Sequence, residues 1–394
     1  MPTMKNALRF GCGLAAGLFL MTPAHGRSLD DVVLVVGGEH RTLPVAELLA
    51  NDFAPTTGGI EITSPPLGAS VQLSADGSDL VIQLDPGTDL TSFHYRNLGA
   101  DMAQETEVLL VSVPKWQPVA GRWPTYSCPE TDSCKELLEC PIGAGSEIGW
   151  FHIPERKFGL CDFDGTKLMD CVDIPLPVDS RPWLPLVADL DGNGWDEIGV
   201  SDPATGKVFM YSYDLAQCEA GSSGCLTPVL DTQFPSGALV AGGDWNGDGV
   251  GELRAYHQRL GFSPSSIHSP YANRKPIVGS ALGLPVVTGW GGSMKAGLWL
   301  PSLEQFELYH EPGTGISTVN LFGAWPYPGL KVRGTPLTFP AAACSDDWVI
   351  GLFDEPGGQI VLSAEVSGDP VVHMCVPVDP DGYPGAGPVD PEGD

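Results

Sequence analysis

The stretch Asp189-Leu190-Asp191-Gly192-Asn193-Gly194-Trp195-Asp196-Glu197 puts oxygen-bearing side chains at its first, third, fifth and ninth positions, from Asp189, Asp191, Asn193 and Glu197. The seventh position offers the Trp195 backbone carbonyl. These are hard ligands. A hard divalent cation such as calcium takes six to eight oxygens at about 2.3–2.6 Å, and alternate residues of a tight loop can aim that many at one centre. Glycines at positions four and six permit the bend. An EF-hand opens the same way but needs a bidentate Glu at position 12 and flanking helices, whereas Val200 stands there and the apolar run Ile198-Gly199-Val200 follows at once.

The pattern recurs at Asp244-Trp245-Asn246-Gly247-Asp248-Gly249-Val250-Gly251-Glu252, where Asp244, Asn246, Asp248 and Glu252 take the side-chain positions and Val250 the carbonyl. Two calcium ions are the cofactors this spacing predicts. The competing reading is a pair of Asp-Gly and Asn-Gly hairpin turns with solvated carboxylates. Against it, Asp189, Asp191 and Glu197 would repel one another in so short a loop without a cation. Asp162-Phe163-Asp164-Gly165-Thr166, ending at Asp170, lacks the sixth-position glycine and reads as a turn or disulfide-closed hairpin.

No GxSxG elbow, HExxH motif or Walker loop occurs. His152, His257, His268 and His310 are scattered and read as turn or surface residues. Ten tryptophans could stack on sugars, but their place inside repeated strand motifs favours core packing.

The elements that must carry these loops are strands. Helical periodicity is nearly absent, and short apolar runs rich in β-branched residues alternate with Gly, Pro, Asn and Asp, so the fold class is all-β. With 42% hydrophobic residues the chain has a core to bury, despite 50 glycines and 37 prolines. Residues 1–26 carry Lys5 and Arg9, an apolar run from Gly11 to Met21 and Ala24-His25-Gly26, the pattern of a cleaved signal peptide. The run is too short to span a bilayer, and no later stretch reaches 18 apolar residues. The expected location is secreted, periplasmic or cell-surface. Removing the leader changes the formal charge from −29 to −31, because it holds two basic and no acidic residues. Without a basic patch to release counterions, nucleic acid is not an expected partner.

Export favours disulfides. Cys218 with Cys225, which close a Gly/Ser-rich loop, are the first expected pair, followed by Cys344 with Cys375 and Cys161 with Cys171. The odd cysteine is expected among Cys128, Cys134 and Cys140.

Residues 28–114 form a first unit, with strands expected at Ile60–Thr63, Ser70–Leu73, Leu80–Leu84, Ser92–Arg96 and Glu107–Val113. From residue 116 the chain repeats at roughly fifty residues, a period that suits a propeller blade. Pro118–Trp123, Pro185–Asp189, Leu239–Trp245 and Pro285–Trp290 are one strand used four times, and Pro336–Pro340 is a fainter fifth copy. Glu147–Trp150, Glu197–Val200, Glu252–Ala255, Ala296–Trp299 and Val349–Leu352 are the next strand, and Lys207–Tyr211, Gln305–Tyr309 and Gln359–Leu362 a third. The tail 379–394 is acidic, rich in Pro and Gly, and expected to be disordered.

Two resemblances rest on these residues. Leu48-Leu49-Ala50-Asn51-Asp52, Gly68-Ala69-Ser70-Val71, Ala75-Asp76-Gly77, Phe93-His94-Tyr95 and Val111-Ser112-Val113 resemble the cadherin-like, immunoglobulin-like repeats of bacterial surface proteins, which implies an N-terminal β-sandwich. The repeating units of 116–378 resemble FG-GAP or VCBS repeats, the calcium-loop blades also seen in integrin alpha chains, which implies a β-propeller of about five blades. Together they imply an exported, non-enzymatic module recognising a protein or carbohydrate ligand at a cell surface. A polysaccharide lyase-like enzyme and a passive structural part of a surface assembly are the alternatives.

Overall fold

The structure is a computed structural model. It describes residues 31–51, 59–88, 90–99, 105–123, 147–163, 168–243, 250–257, 261–262, 284–290, 293–300, 305–309, 316–320, 337–340, 348–354, 359–366 and 369–377, and the statements below concern these residues. The fold is all-β and consists of seven small sheets with two short helices.

The N-terminal unit holds two of the sheets. Strands β1 (Asp31–Val36), β3 (Ile60–Ser64), β6 (Leu90–Asn97) and β7 (Glu105–Val113) form one, in the order β1-β7-β6-β3, with β1 parallel to β7. Strands β2 (His40–Pro44), β4 (Ala69–Leu73) and β5 (Asp79–Leu84) form the other, in the order β2-β5-β4. A short helix α1 (Val45–Leu48) and a 3-10 turn over Leu49–Asn51 follow β2. The alternation of β5 sends Leu80, Ile82 and Leu84 inward, where they meet Phe93, Tyr95, Val108 and Leu110 from the first sheet.

β1 obeys a different rule. All six of its residues are buried. Because side chains alternate along a strand, this requires cover on both faces. Val33 and Val35 join the core of the N-terminal unit, whereas Val32, Leu34 and Val36 join a second core with Phe151, Phe158, Trp183 and Ile198 from downstream sheets. β7 splits the same way, Val108 and Leu110 to one core, Leu109, Val111 and Val113 to the other. Fully burying each such side chain is worth about 1.5–3 kcal/mol, so the N-terminal unit is joined to the rest of the chain by apolar packing.

The downstream chain forms five antiparallel sheets in chain order. The first contains β8 (Trp116–Gly121), β9 (Glu147–His152), β10 (Lys157–Phe163) and β11 (Leu168–Pro175); the second β12 (Leu184–Ala188), β13 (Glu197–Asp202), β14 (Lys207–Tyr213) and β15 (Leu226–Gln233). The third has β16 (Ala238–Gly243), β17 (Glu252–His257) and β18 (Gly261–Phe262) among the described residues. β19 (Leu284–Trp290), β20 (Ser293–Leu300), β21 (Gln305–Tyr309) and β22 (Ile316–Asn320) make the fourth, and β23 (Leu337–Pro340), β24 (Trp348–Asp354), β25 (Gln359–Val366) and β26 (Asp369–Pro377) the fifth. The strands used repeatedly in the sequence are the first three of these sheets. Their first strands adjoin one another in order, β8 beside β12, β12 beside β16, β16 beside β19, β19 beside β23, and β23 beside β8 again.

The recurring Glu-Ile-Gly of the second strands has a packing reason. A Cβ at Gly199 would run into Met210 Sδ and the Phe209 carbonyl on β14, and one at Gly149 would come within 2.5 Å of the Gly159 carbonyl on β10. Only glycine allows the third strand to lie so close.

Cys161 and Cys171 are disulfide-bonded across the β10–β11 hairpin, and Cys218, within helix α2 (Leu215–Glu219), is bonded to Cys225 across the loop that follows the helix. The hairpin agrees with the reading of the 162–170 loop, whose turn lies outside the described residues. So do Cys344, and with it the Cys344–Cys375 pair, and Cys128, Cys134 and Cys140. The leader 1–26 and the tail 379–394 are outside them as well.

Candidate metal centre

The acidic loop joins β12 directly to β13. Ala188 pairs with Glu197 at the end of the ladder, so residues 189–196 form a closed excursion from one sheet edge. Gly192 and Gly194 both have positive φ, 71° and 90°, a conformation that side-chain-bearing residues seldom adopt. The bend turns the loop's backbone N–H groups inward onto its own acids. Asp189 accepts from Asn193 N–H at 3.1 Å and Gly194 N–H at 2.8 Å. Asp191 accepts from Asn193 N–H and from Asn193 Nδ2, each at 3.0 Å. Asn193 Oδ1 accepts from Trp195 N–H at 2.7 Å. Glu197 Oε2 accepts from Leu190 N–H at 2.7 Å.

Asp189, Asp191 and Glu197 each present a carboxylate oxygen such that all three oxygens lie within 4.8 Å of one another. Two oxygens bound to one calcium at about 2.3–2.6 Å are no more than about 5 Å apart, so the donor set fits that ion. Among the described residues none of the three pairs with a lysine or arginine. Glu197 is 2% exposed. Burial above all, then Asp191, Asp189 and Asp196, raises its pKa, against the opposing Leu190 N–H bond. Trp195 is 46% exposed at the loop's tip.

Asp196 is a residue that the alternating pattern passes over. It faces the neighbouring sheet: its Oδ2 accepts from Arg122 N–H at 2.6 Å, and its own N–H donates to the Arg122 carbonyl at 2.8 Å. The loop is thereby tied to the end of β8. Burial raises the Asp196 pKa to about 6, with Arg122 opposing and Asp189 adding to the shift. The unfolded value is near 4, so stability that is present below pH 4 is lost as pH rises through about 6. In EDTA, Asp196→Asn is therefore expected to be more stable than wild type at pH 7.5, on the order of 2 kcal/mol, and to converge with it near pH 4, as read by urea unfolding.

Of the second loop, Asp244, Asn246 and Asp248 lie outside the described residues. Its ends are described. Gly243 pairs with Glu252 as Ala188 pairs with Glu197, so the two excursions leave their sheets at equivalent places. They also meet: Gly251 N–H donates to the Asp189 carbonyl at 2.5 Å, and a Cβ at Gly192 would lie 2.9 Å from Val250 Cγ2.

The histidine reading needs correction at two of its four positions; His268 and His310 lie outside the described residues. His152 and His257 lie in β9 and β17, not in turns, and His257 is 4% exposed. His152 stacks on Trp116 at a centroid distance of 4.0 Å. Its pKa is lowered, by burial first, with Glu155 opposing. Strand alternation, not a local motif, places both residues. Trp123, Trp150 and Trp183 are buried and belong to the core.

No family model matches the chain, and no curated protein does. Among solved structures it is similar to a functionally unknown protein from Desulfotomaculum acetoxidans, at 9% identity over 76% of this chain and 81% of that one, with a TM-score of 0.29. A quinonprotein alcohol dehydrogenase-like protein from Bacteroides thetaiotaomicron aligns at 10% identity over 88% of this chain and 93% of that one, with a TM-score of 0.18. At such scores neither likeness carries an argument about fold or function.

Proposed function

We propose that the chain is an exported, calcium-braced binding protein, in which an N-terminal β-sandwich is joined to a propeller of about five blades. The observation that carries the calcium reading is the convergence of Asp189, Asp191 and Glu197 within 4.8 Å, with no cationic side chain to offset them among the described residues. The propeller reading is supported by five antiparallel sheets whose first strands adjoin in a closed order. Export is supported by the leader pattern and by two disulfides, which persist in oxidising compartments.

In this reading calcium is structural. It would be held by Asp189, Asp191, Asn193, Glu197 and the Trp195 carbonyl, and at the second loop by Asp244, Asn246, Asp248, Glu252 and the Val250 carbonyl. Neutralising the loop acids would hold adjacent sheet ends together, because Asp196 grips Arg122 on one side and Asp189 meets Gly251 on the other. The remaining surface would recognise a protein or glycan at a cell surface. Equilibrium dialysis against calcium is expected to give two ions per wild-type chain and one in Asp189→Ala. Uptake of none at millimolar calcium would reduce the loops to turns.

A further inference from the structure

The sheet β2-β5-β4 leaves the outer edge of β2 without a partner strand among the described residues. That edge borders a cleft of about 400 Å³ between the N-terminal unit and the first two downstream sheets, within the range of ligand sites. All five residues of β2 line it. A strand presents alternate residues on each face but every residue along its edge, and β2 does alternate, with His40, Thr42 and Pro44 exposed and Arg41 and Leu43 buried. The cleft therefore runs along the unpaired backbone edge. The opposite wall is the β9–β10 turn at Ile153 and Pro154 and the segment 179–182.

The wall is held in place by Arg181. Its Nε donates to both oxygens of Asp179 at 2.8 and 2.9 Å, and its Nη1 to Asp202 at 3.1 Å. The charge balance favours a cation. Glu39, Glu47 and Asp179 line the cleft, with Asp202 behind them, and are paired with Lys115, Arg41 and Arg181, so that four carboxylates face three cations and one negative charge is left in excess.

We propose that this cleft binds an extended peptide that adds as a strand to β2 and carries a lysine or arginine side chain toward Glu47 and Asp179. Backbone pairing along the roughly 17 Å of a five-residue strand would supply affinity, and the carboxylates the preference for a basic residue. The inference is independent of the calcium loops, which belong to a different part of the fold.

The test is to pan a phage-displayed library of random heptapeptides on the full-length protein, with counter-selection on Ser180→Trp, which fills the cleft from an exposed position. Enriched peptides are then synthesised and titrated by fluorescence anisotropy, in calcium and in EDTA. Basic peptides are expected, with affinity reduced tenfold or more in Ser180→Trp and several-fold in Glu47→Gln, both melting near wild type, and with slowed amide exchange at residues 40–43 on binding. No enrichment, enrichment insensitive to both variants, or binding that leaves those amides unchanged would overturn the proposal.

Discussion

Returning calcium to the EDTA-treated protein is expected to raise its melting temperature by about 3–4 °C for each filled site, with magnesium at the same concentration producing a much smaller shift. An ion bound only by the folded state stabilises it by about 2.7 kcal/mol at a hundred times its dissociation constant. In a chain of 394 residues each kcal/mol moves the midpoint by only about 1.3 °C. The selectivity follows from the donors. Carboxylates on a glycine-bent loop suit the irregular shell of calcium, whereas magnesium demands a near-octahedral shell at about 2.0–2.1 Å and keeps its waters. Asp189→Ala and Glu197→Ala should each abolish the increment of the first loop. Both also remove acceptors for backbone N–H groups of Asn193, Gly194 or Leu190, so the comparison is each variant with and without calcium, not variant against wild type in calcium. If wild-type melts coincide at millimolar calcium, the three acids are hairpin decoration.

The convergence of Asp189, Asp191 and Glu197 was legible because its information is local. A metal loop needs donors at fixed offsets and glycines between them, and both requirements are written in nine consecutive residues. The first two strands of the five sheets were legible for a related reason: they recur at roughly fifty residues, and in the first two sheets the shared Glu-Ile-Gly sets Gly149 and Gly199 against the same close approach from the third strand. What escaped was set by contacts distant in sequence. β1 reads Asp-Val-Val-Leu-Val-Val, without alternation, and its strand character follows only once both of its faces are seen to be covered, by Phe93 and Leu110 on one side and by Phe151 and Trp183 on the other. The fourth strands β11, β15, β22 and β26 escaped too. β15 is mostly exposed or half-buried, so no apolar pattern marks it. Asp196 falls between the alternating donors, and nothing near it in sequence announces that its partner is Arg122 on the neighbouring sheet. His257 owes its burial to β17, where it pairs with Ala238 and Gly261. The charge network between the two parts of the chain is the extreme case, because Arg41 and Asp202 are 161 residues apart.

That network sets the second large effect. Asp202 has no exposed surface, and its two oxygens accept from Arg41 Nη2 at 3.4 Å, Ala204 N–H at 3.1 Å, Arg181 Nη1 at 3.1 Å and Thr205 Oγ1 at 2.8 Å. Arg41 has only 4% of its side chain exposed, and burial lowers its pKa while Asp202 opposes that shift. Asp202→Ala leaves this guanidinium buried without its carboxylate, a change that costs about 3–5 kcal/mol when one partner of a buried pair is removed. Glu47→Gln weakens only a 3.4 Å contact from a carboxylate with 29% of its side chain exposed, and is expected to cost less than about 1 kcal/mol. Urea unfolding followed by tryptophan emission can read the difference, since Trp183 is buried beside Phe209, with its ring 5.5 Å from the Arg181 guanidinium. The double variant Asp202→Leu with Arg41→Met separates charge from packing: it removes the buried cation along with its anion, and should recover much of the loss. Equal costs for Asp202→Ala and Glu47→Gln would mean that water reaches Arg41. The two parts of the chain would then be held by the apolar contacts of β1 and β7 alone.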